Sequence, residues 1–180
     1  MLIFPKSVAG ITLIELMIAI TILSILLIAG LPESFKWMQN TRIRTAAESV
    51  SNGLQLARGE AVRRNTKVEF VLTSDPPVNA GVSTNTTGPN WVVRDLTGTF
   101  IQGAAETSPN VVITSGSPNV VFNGLGRVTL GANTIQVTNP TGGACIAAGP
   151  MRCLNIVVQI GGQIRMCDPS ITAAGDTRKC

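Results

Sequence analysis

The sequence predicts an α+β protein in which one long N-terminal helix packs on an antiparallel β-rich head. Three observations lead to this fold class. An apolar run opens the chain, a helical stripe of small apolar residues follows, and the remainder holds short apolar runs separated by Gly, Pro, Asn and Thr. A helix that precedes a series of strands is typical of α+β proteins. With 180 residues, the chain has room for one ordinary domain and an appendage.

The first element is an apolar segment from Ile11 to Leu31, which holds 21 residues and a single charge, at Glu15. A membrane-spanning helix needs about 20 apolar residues, so this segment is long enough to cross a bilayer. A carboxylate in the bilayer core costs about 2.5–3.5 kcal/mol, which a plain transmembrane anchor does not explain. Glu15 lies near one end of the segment, where a new N-terminal amine would be a suitable cationic partner. A plain anchor is the simpler alternative.

The second element is an amphipathic stretch that continues the helix to about Arg64. Its apolar residues recur at spacings of three and four, which places them on one helix face. We expect this face to dock on the sheet of the head, because a seam with three alanines is weak for an independent coiled coil. Gly30 and Pro32 predict a bend or a loosened turn between the two halves. The stripe consists of Ile43, Ala47, Val50, Leu54, Ala57 and Ala61.

The third part of the chain reads as short strands between turn signals. Asn123–Gly126 and the pair Gly161 and Gly162 are predicted hairpin turns, and 81–90 is predicted to be the least structured stretch. The predicted strands are Lys67–Thr73, Trp91–Leu96, Val111–Thr114, Val120–Asn123, Arg127–Leu130, Thr134–Thr138, Leu154–Ile160 and Gln163–Cys167.

The composition argues against an enzyme. The chain has no histidine, which is the commonest general base and metal ligand. It also lacks a nucleophile elbow and a metal-ligand cluster, so we expect no catalytic, cofactor or metal site. The net charge of +4 is a mild excess, not that of a dedicated nucleic-acid binder.

Four cysteines lie in the last 36 residues, at Cys145, Cys153, Cys167 and Cys180. None forms a Cys-x-x-Cys pair, and an even number in an exported domain predicts two disulfides. If Gly161 and Gly162 form a two-residue turn, Cys153 and Cys167 point to opposite faces of the sheet. Of the three possible pairings, we therefore favour Cys145–Cys153 with Cys167–Cys180.

The stretch from Gly10 to Leu16 reads GITLIEL and resembles the leader junction of type IV pilins and type II secretion pseudopilins. The resemblance implies that a prepilin peptidase cuts between Gly10 and Ile11 and methylates the new amine of Ile11. It also implies that Glu15 is the carboxylate that pairs with a neighbouring subunit's amine during assembly. The organisation then becomes a leader over 1–10, a transmembrane and assembly helix over 11–32, an amphipathic helix half over 33–65 and a disulfide-bonded β-rich head over 66–180.

Motifs in the head also resemble a known family. The sequence QLARGEA closes the helix, FNGLGRV and VVQIGGQIRMCDP follow in the head, and together they resemble GspH/FimT/FimU minor pilins and pseudopilins. The resemblance implies a minor pilin of a type IV pilus that primes assembly and sits at or near the filament tip. Its partners would be prepilin peptidase and other major and minor pilins, and it needs no cofactor.

The resemblance also implies a location. The protein would be stored in the inner membrane as a single-pass subunit with a periplasmic head, and would later lie in the extracellular filament. Lys6 before the apolar segment and Lys36, Arg42 and Arg44 after it oppose this orientation under the positive-inside rule. The leader motif and the cysteines outweigh that count.

Two alternative functions remain. A type II secretion pseudopilin of the GspH kind would have the same topology. A FimT-like member would bind DNA during uptake through a Gly-Arg-x-Arg element, which here reads Gly162-Gln163-Ile164-Arg165. Phosphate contacts need cations, and the candidate DNA-binding residues are Arg152, Arg165, Arg178 and Lys179.

Overall fold

The computed structural model describes residues 10–108, 110–131, 134–146 and 149–180, with side chains at 29–33 excepted. The chain divides into two compact units, residues 1–37 and residues 38–180, and each is described by itself. The predicted leader lies outside the described residues except for Gly10.

Helix α1 runs from Leu13 to Arg64 and contributes to both units. In the first unit, its large apolar side chains from Leu13 to Ile28 are 52–77% exposed. Within the part of the chain that the structure describes, no helix combines the length and apolar character needed to cross a bilayer. The predicted span over 11–32 and the predicted bend at Gly30 and Pro32 both include side chains that lie outside the described residues.

The second unit begins with the amphipathic part of α1. All six residues of the predicted stripe are completely buried, as is Ala46 beside them. Alanines and Gly53 dominate this face, so the helix axis lies close to the sheet beneath it. The sequence therefore predicted both the helix and its docking face.

In the part of the chain that the structure describes, nine strands form two antiparallel sheets behind the helix. The first sheet has the order β3-β2-β1-β5-β6 and the second has the order β4-β7-β8-β9. This is the α+β architecture that the sequence predicts. The strands are β1 Val68–Thr73, β2 Asn90–Asp95, β3 Phe100–Ala105, β4 Val112–Ser115, β5 Asn119–Phe122, β6 Val128–Gly131, β7 Thr134–Thr138, β8 Leu154–Val158 and β9 Ile164–Cys167.

Strand β3 was missed by the sequence analysis. It pairs with β2 as the edge of the first sheet, next to a register shift between Val93 and Arg94. Its residues are exposed or only partly buried, so the sequence carries no continuous apolar run there. Gly103 lies close to the carbonyl of Pro77, where a Cβ would come within 2.6 Å of that oxygen.

The stretch at 81–90 has little regular secondary structure, but it makes backbone hydrogen bonds to its neighbours. Asn90 begins β2, and Thr87 forms an isolated bridge with Thr114 of β4. The amide of Asn85 donates to the carbonyl of Leu72 in β1 at 2.9 Å. The loop between β1 and β2 therefore hydrogen-bonds to both sheets, although 81–89 has no regular helix or strand, in line with the prediction that this stretch is the least structured.

Strand β1 lies at the centre of the first sheet, and all six of its residues are buried. Side chains alternate between the two faces of a strand. One face contributes Val68, Phe70 and Leu72 to the large core beneath the helix. On the other face, Val71 packs with Val92 and Val82, and the last of these belongs to the β1–β2 loop.

Candidate assembly junction and basic C-terminal surface

The predicted processing junction lies just before the helix begins. Gly10, Ile11 and Thr12 have no regular secondary structure and are exposed. The Thr12 side-chain oxygen accepts a hydrogen bond from the Glu15 amide at 3.3 Å, and the Leu16 amide donates to the Thr12 carbonyl at 3.1 Å. These contacts make Thr12 the N-cap of α1. The sequence analysis missed this role, although Thr-x-x-Glu is a recognised capping pattern.

Glu15 lies in the first turn of α1 and is exposed. Its amide is capped by Thr12, but its carboxylate has no hydrogen-bond or ion-pair partner among the residues that the structure describes. The other two polar side chains between 13 and 28 are Thr21 and Ser24, and their hydroxyls donate to backbone carbonyls at 2.8 and 2.7 Å. Glu15 is thus the one polar side chain in this stretch that is left to pair with a group outside its own helix.

The disulfides are Cys145–Cys153 and Cys167–Cys180, the pairing that the sequence analysis favoured. The hairpin register behind that choice was wrong by one residue. Asn155 pairs with Cys167, and the turn between β8 and β9 spans Gln159 to Gln163 rather than two residues. Cys153 lies two residues before Asn155 and therefore on the same side of the chain as Asn155. Because Asn155 pairs with Cys167, Cys153 and Cys167 fall on the same side of the hairpin in this register.

Three of the four candidate DNA-binding cations lie on or beside the C-terminal tail. The tail returns alongside β9, where Asp168 forms a parallel bridge with Lys179 and Cys180 is bonded to Cys167. Arg165 donates to the carbonyl of Cys180 at 3.4 Å. Arg152 lies elsewhere, before β8, and its amide donates to the Asn40 side chain of α1 at 2.7 Å. The structure therefore groups Arg165, Arg178 and Lys179.

These cations already have partners within the chain. The Arg178 guanidinium binds both carboxylate oxygens of Asp176, at 3.1 and 2.8 Å. The hydrogen bond from Arg178 lowers the pKa of Asp176 to about 2, so this acid stays ionised at neutral pH. The Lys179 ammonium donates to the Thr172 carbonyl at 3.4 Å. The ion pair reduces the positive charge that the tail presents to a phosphate.

A small cavity of about 210 Å³ lies next to the Cys167–Cys180 bond. It includes Arg44 from α1, which pairs with Glu48 at 2.9 Å. Its other lining residues are Leu154, Met166, Cys167, Asp168 and Arg178.

Two family models match the sequence. The model described as the prokaryotic N-terminal methylation motif matches residues 5–31, which include the junction at Gly10 and Ile11. The model described as type II transport protein GspH matches residues 46–162, more than half of the chain. The chain belongs to the GspH family. The GspH match covers most of the buried part of α1 and all the described strands except β9, and it ends before the basic tail.

Solved structures with the same fold support the architecture of this GspH-family chain. The type IV minor pilin FimU of Pseudomonas aeruginosa strain PAO1 matches in two crystal forms, each with 16% sequence identity and 97% of the FimU chain covered. The crystal form in space group P21 gives a TM-score of 0.54 over 77% of this chain. The form in space group P65 gives 0.50 over 73%. No curated protein matches the sequence.

The GspH-family chain is therefore a type IV pilin-like protein with an α+β fold. Proteins of this class are structural subunits and not enzymes, in agreement with the sequence analysis. The family also indicates that the protein is a membrane-anchored pilus component that assembles with other pilins.

Proposed function

We propose that this GspH-family protein is a minor pilin that is cut by prepilin peptidase between Gly10 and Ile11, primes filament assembly, and lies at or near the tip. The observation that carries the proposal is the isolated carboxylate of Glu15 in the first turn of an otherwise apolar, exposed helix face. Cleavage would place the new amine of Ile11 four residues before that carboxylate, and the amine of an adjacent subunit could pair with it. The methylation-motif match over residues 5–31 supports the cleavage site.

The proposed storage site is the inner membrane, with a single pass and the head in the periplasm. Two features support it. Large apolar side chains from Leu13 to Ile28 are more than half exposed, so they need cover from lipid or from other helices. The two disulfides of the head also fit an oxidising compartment.

The test uses the full chain expressed in cells that lack the native copy. N-terminal sequencing of protein from sheared filaments should begin at Ile11, with a methylated amine. Glu15→Ala should still be cut but should enter filaments much less than the parent, and Glu15→Asp should restore part of the entry. A native protein that still begins at Met1, or a Glu15→Ala subunit that enters filaments as well as the parent, would refute the proposal.

The type II secretion alternative shares every feature of this chain. Deletion of the gene separates the two roles, because loss of piliation and twitching marks a pilus subunit and loss of protein secretion marks a pseudopilin.

DNA binding is a second candidate function. One observation favours it, namely that the Cys167–Cys180 bond and the adjacent bridge gather Arg165, Arg178 and Lys179 on one tail. The ion pair of Arg178 with Asp176 opposes it. A gel shift at low salt that disappears at higher salt and on Arg165→Ala would support DNA binding, since phosphate contacts release counterions. No shift at low salt would dismiss it.

A further inference from the structure

A groove of about 500 Å³ lies along the last three turns of α1, at the end of the head where two hairpin turns meet the helix. One turn, Asn123–Arg127, joins β5 to β6, and the other, Gln159–Gln163, joins β8 to β9. The groove is lined by Gln55, Arg58, Gly59, Val62, Gln163 and Ile164.

Arg58 is an exposed residue of this groove whose side chain lies beside two glycines. A Cβ built on Gly126 or on Gly162 would lie 3.1 Å from Nε of Arg58, and both glycines have positive φ, at 72° and 84°. The two turns also touch each other, because a Cβ on Gly162 would overlap the carbonyl oxygen of Gly126. Glycine at both positions thus leaves room for the two turns to pass beside the Arg58 side chain, which lines the groove.

Arg58 has no hydrogen-bond or ion-pair partner among the described residues, which distinguishes it from its neighbours on the helix. Arg63 and Arg64, one turn further along, both bind Glu60 at 2.6 and 2.7 Å. Since Glu60 is fully engaged by these two arginines, it does not neutralise Arg58. The groove therefore carries an exposed cation that makes no ion pair with any of the described residues.

Gly59 provides an independent observation. It lies in the interior of α1, where glycine costs about 1 kcal/mol relative to alanine. Apart from the adjacent residues and the surrounding helix backbone, no atom lies within 4 Å of a Cβ built at this position, so no contact with another described part of the chain requires glycine there. An exposed helical glycine permits a close approach of another backbone. Gly59 thus leaves the floor of the groove open to a partner.

The rim of the groove is aliphatic. Val62 is 52% exposed, and it lies against the turn that carries Leu125, which is 78% exposed. Ile160, on the neighbouring turn, is 75% exposed. The carbonyl of Ile160 accepts a hydrogen bond from the amide of Val128. An apolar rim around an arginine is typical of protein–protein interfaces, where arginine is a frequent hot spot. Single-stranded nucleic acid would instead be bound by aromatic stacking platforms, and none is among the lining residues.

We propose that this groove is the docking site of a neighbouring pilin subunit, which inserts a carboxylate next to Arg58 and covers the aliphatic rim with its own apolar side chains. The inference rests on the proposed function, because it takes a filament of several pilins as its setting. The partner's carboxylate binds the guanidinium of Arg58, and its backbone approaches the helix at Gly59.

The test is photo-crosslinking in cells that assemble the filament. p-Benzoylphenylalanine replaces Val62 in the full-length chain, and the adduct is identified by mass spectrometry. We expect an adduct with another pilin subunit. Arg58→Glu should reduce it about tenfold or more, the effect of losing one charge-assisted contact at an interface. Gly59→Leu, which fills the floor of the groove, should reduce it as well.

Two controls separate the groove from general effects. Arg58→Lys keeps the charge and should retain most of the adduct, and Arg63→Gln, at an exposed arginine outside the groove, should leave it unchanged. Oxidised cysteines in each variant show that the head has folded. Absence of an adduct, an adduct insensitive to Arg58→Glu, or a nuclease-sensitive adduct with DNA would overturn the inference.

The filament content of the parent chain distinguishes the two proposals. If the parent is present in sheared filaments and the crosslink does not depend on Arg58, only the groove assignment fails. If the parent never enters filaments, the proposed function fails, and the groove assignment fails with it.

Discussion

Replacement of Gly53 by alanine tests how closely α1 lies on the first sheet. A Cβ at position 53 would lie 2.9 Å from Cε2 of Phe70 and 3.0 Å from both Cδ2 and Cε2 of Trp91. Carbon atoms pack best at about 3.5–4.0 Å, so the new methyl group would overlap two rings by roughly 0.5 Å or more. The backbone or the rings must move to accommodate it.

The rings have little freedom to move. Phe70 and Trp91 are buried and stacked, with centroids 5.7 Å apart, and Nε1 of Trp91 donates to Oγ of Ser49 at 3.0 Å. Overpacking of this kind costs about 1–3 kcal/mol. Alanine returns about 1 kcal/mol through its better helix propensity. We therefore expect Gly53→Ala to lower the free energy of unfolding by about 0–2 kcal/mol, the balance of these two effects.

Gly59→Ala is the matched control, because it lies on the same helix and a Cβ there meets nothing within 4 Å. It should raise the free energy of unfolding by up to about 1 kcal/mol. The two variants share the propensity gain, so the difference of about 1–3 kcal/mol between them measures the overlap alone. Urea unfolding of residues 38–180, followed by tryptophan fluorescence, gives both values. If Gly53→Ala were as stable as Gly59→Ala, the close approach of the helix to these rings would be refuted.

Three further predictions concern polar groups and the tail. Arg94→Met breaks the largely buried ion pair with Glu69, 2.6 Å apart, and should lower the free energy of unfolding by about 3–5 kcal/mol in urea. The buried carboxylate loses its cationic partner and keeps only the hydrogen bond from the Asn119 side chain at 3.1 Å. Hydrogen bonds from Arg63 and then Arg64 lower the pKa of Glu60 from 4.5 to about 2, so their stabilisation is complete above pH 4.5 and is lost as the pH falls toward 2. Glu60→Gln should reduce the fall in the free energy of unfolding between pH 5 and pH 2 by about 0.5 kcal/mol. The effect is small because these ion pairs lie near the surface. Cys180→Ser opens the tail loop and should lower the melting temperature by the equivalent of about 2–3 kcal/mol in calorimetry.

Each of these predictions has an outcome that contradicts it. An Arg94→Met variant as stable as the parent would mean that Glu69 is well solvated. A Glu60→Gln variant with the parent's acid profile would show that the arginines do not hold the carboxylate in solution. A Cys180→Ser variant with an unchanged melting temperature would indicate that the tail is ordered without its disulfide.

Much of the fold could be predicted from the sequence where burial follows a simple period. The stripe from Ile43 to Ala61 repeats with the helical period, and every member is buried. Eight of the nine strands carry apolar runs between turn signals and lie within two residues of their predicted bounds. Strand β3 escaped because neither of its faces is fully buried, so no apolar period marks it.

The features that the sequence analysis missed depend on contacts between distant segments. The turn at Gly161 and Gly162 involves five residues, from Gln159 to Gln163, because it must pack against the turn at Gly126. No local sequence pattern indicates that contact between the two turns. The predicted register of the β8–β9 hairpin therefore differed from the observed one by one residue. The sequence likewise does not distinguish Arg58 from the other cations of the helix, because only the tertiary structure places the two turns beside it. Glu15, by contrast, stands out in the sequence because it is the single charge in an apolar run.

The loop between β1 and β2 connects the two sheets through backbone hydrogen bonds, although the sheets share no strand. Its backbone bonds to Leu72 on one side and to Ile113 and Ser115 on the other, at 2.9, 3.3 and 2.8 Å. When a filament is pulled, force that acts on one sheet can be transmitted to the other through these hydrogen bonds as well as through the helix. Exchange of the loop for a flexible linker would remove these three bonds, and the sheets would then be joined by side-chain packing and by the bond from the Val128 amide to the Ile160 carbonyl at 3.0 Å.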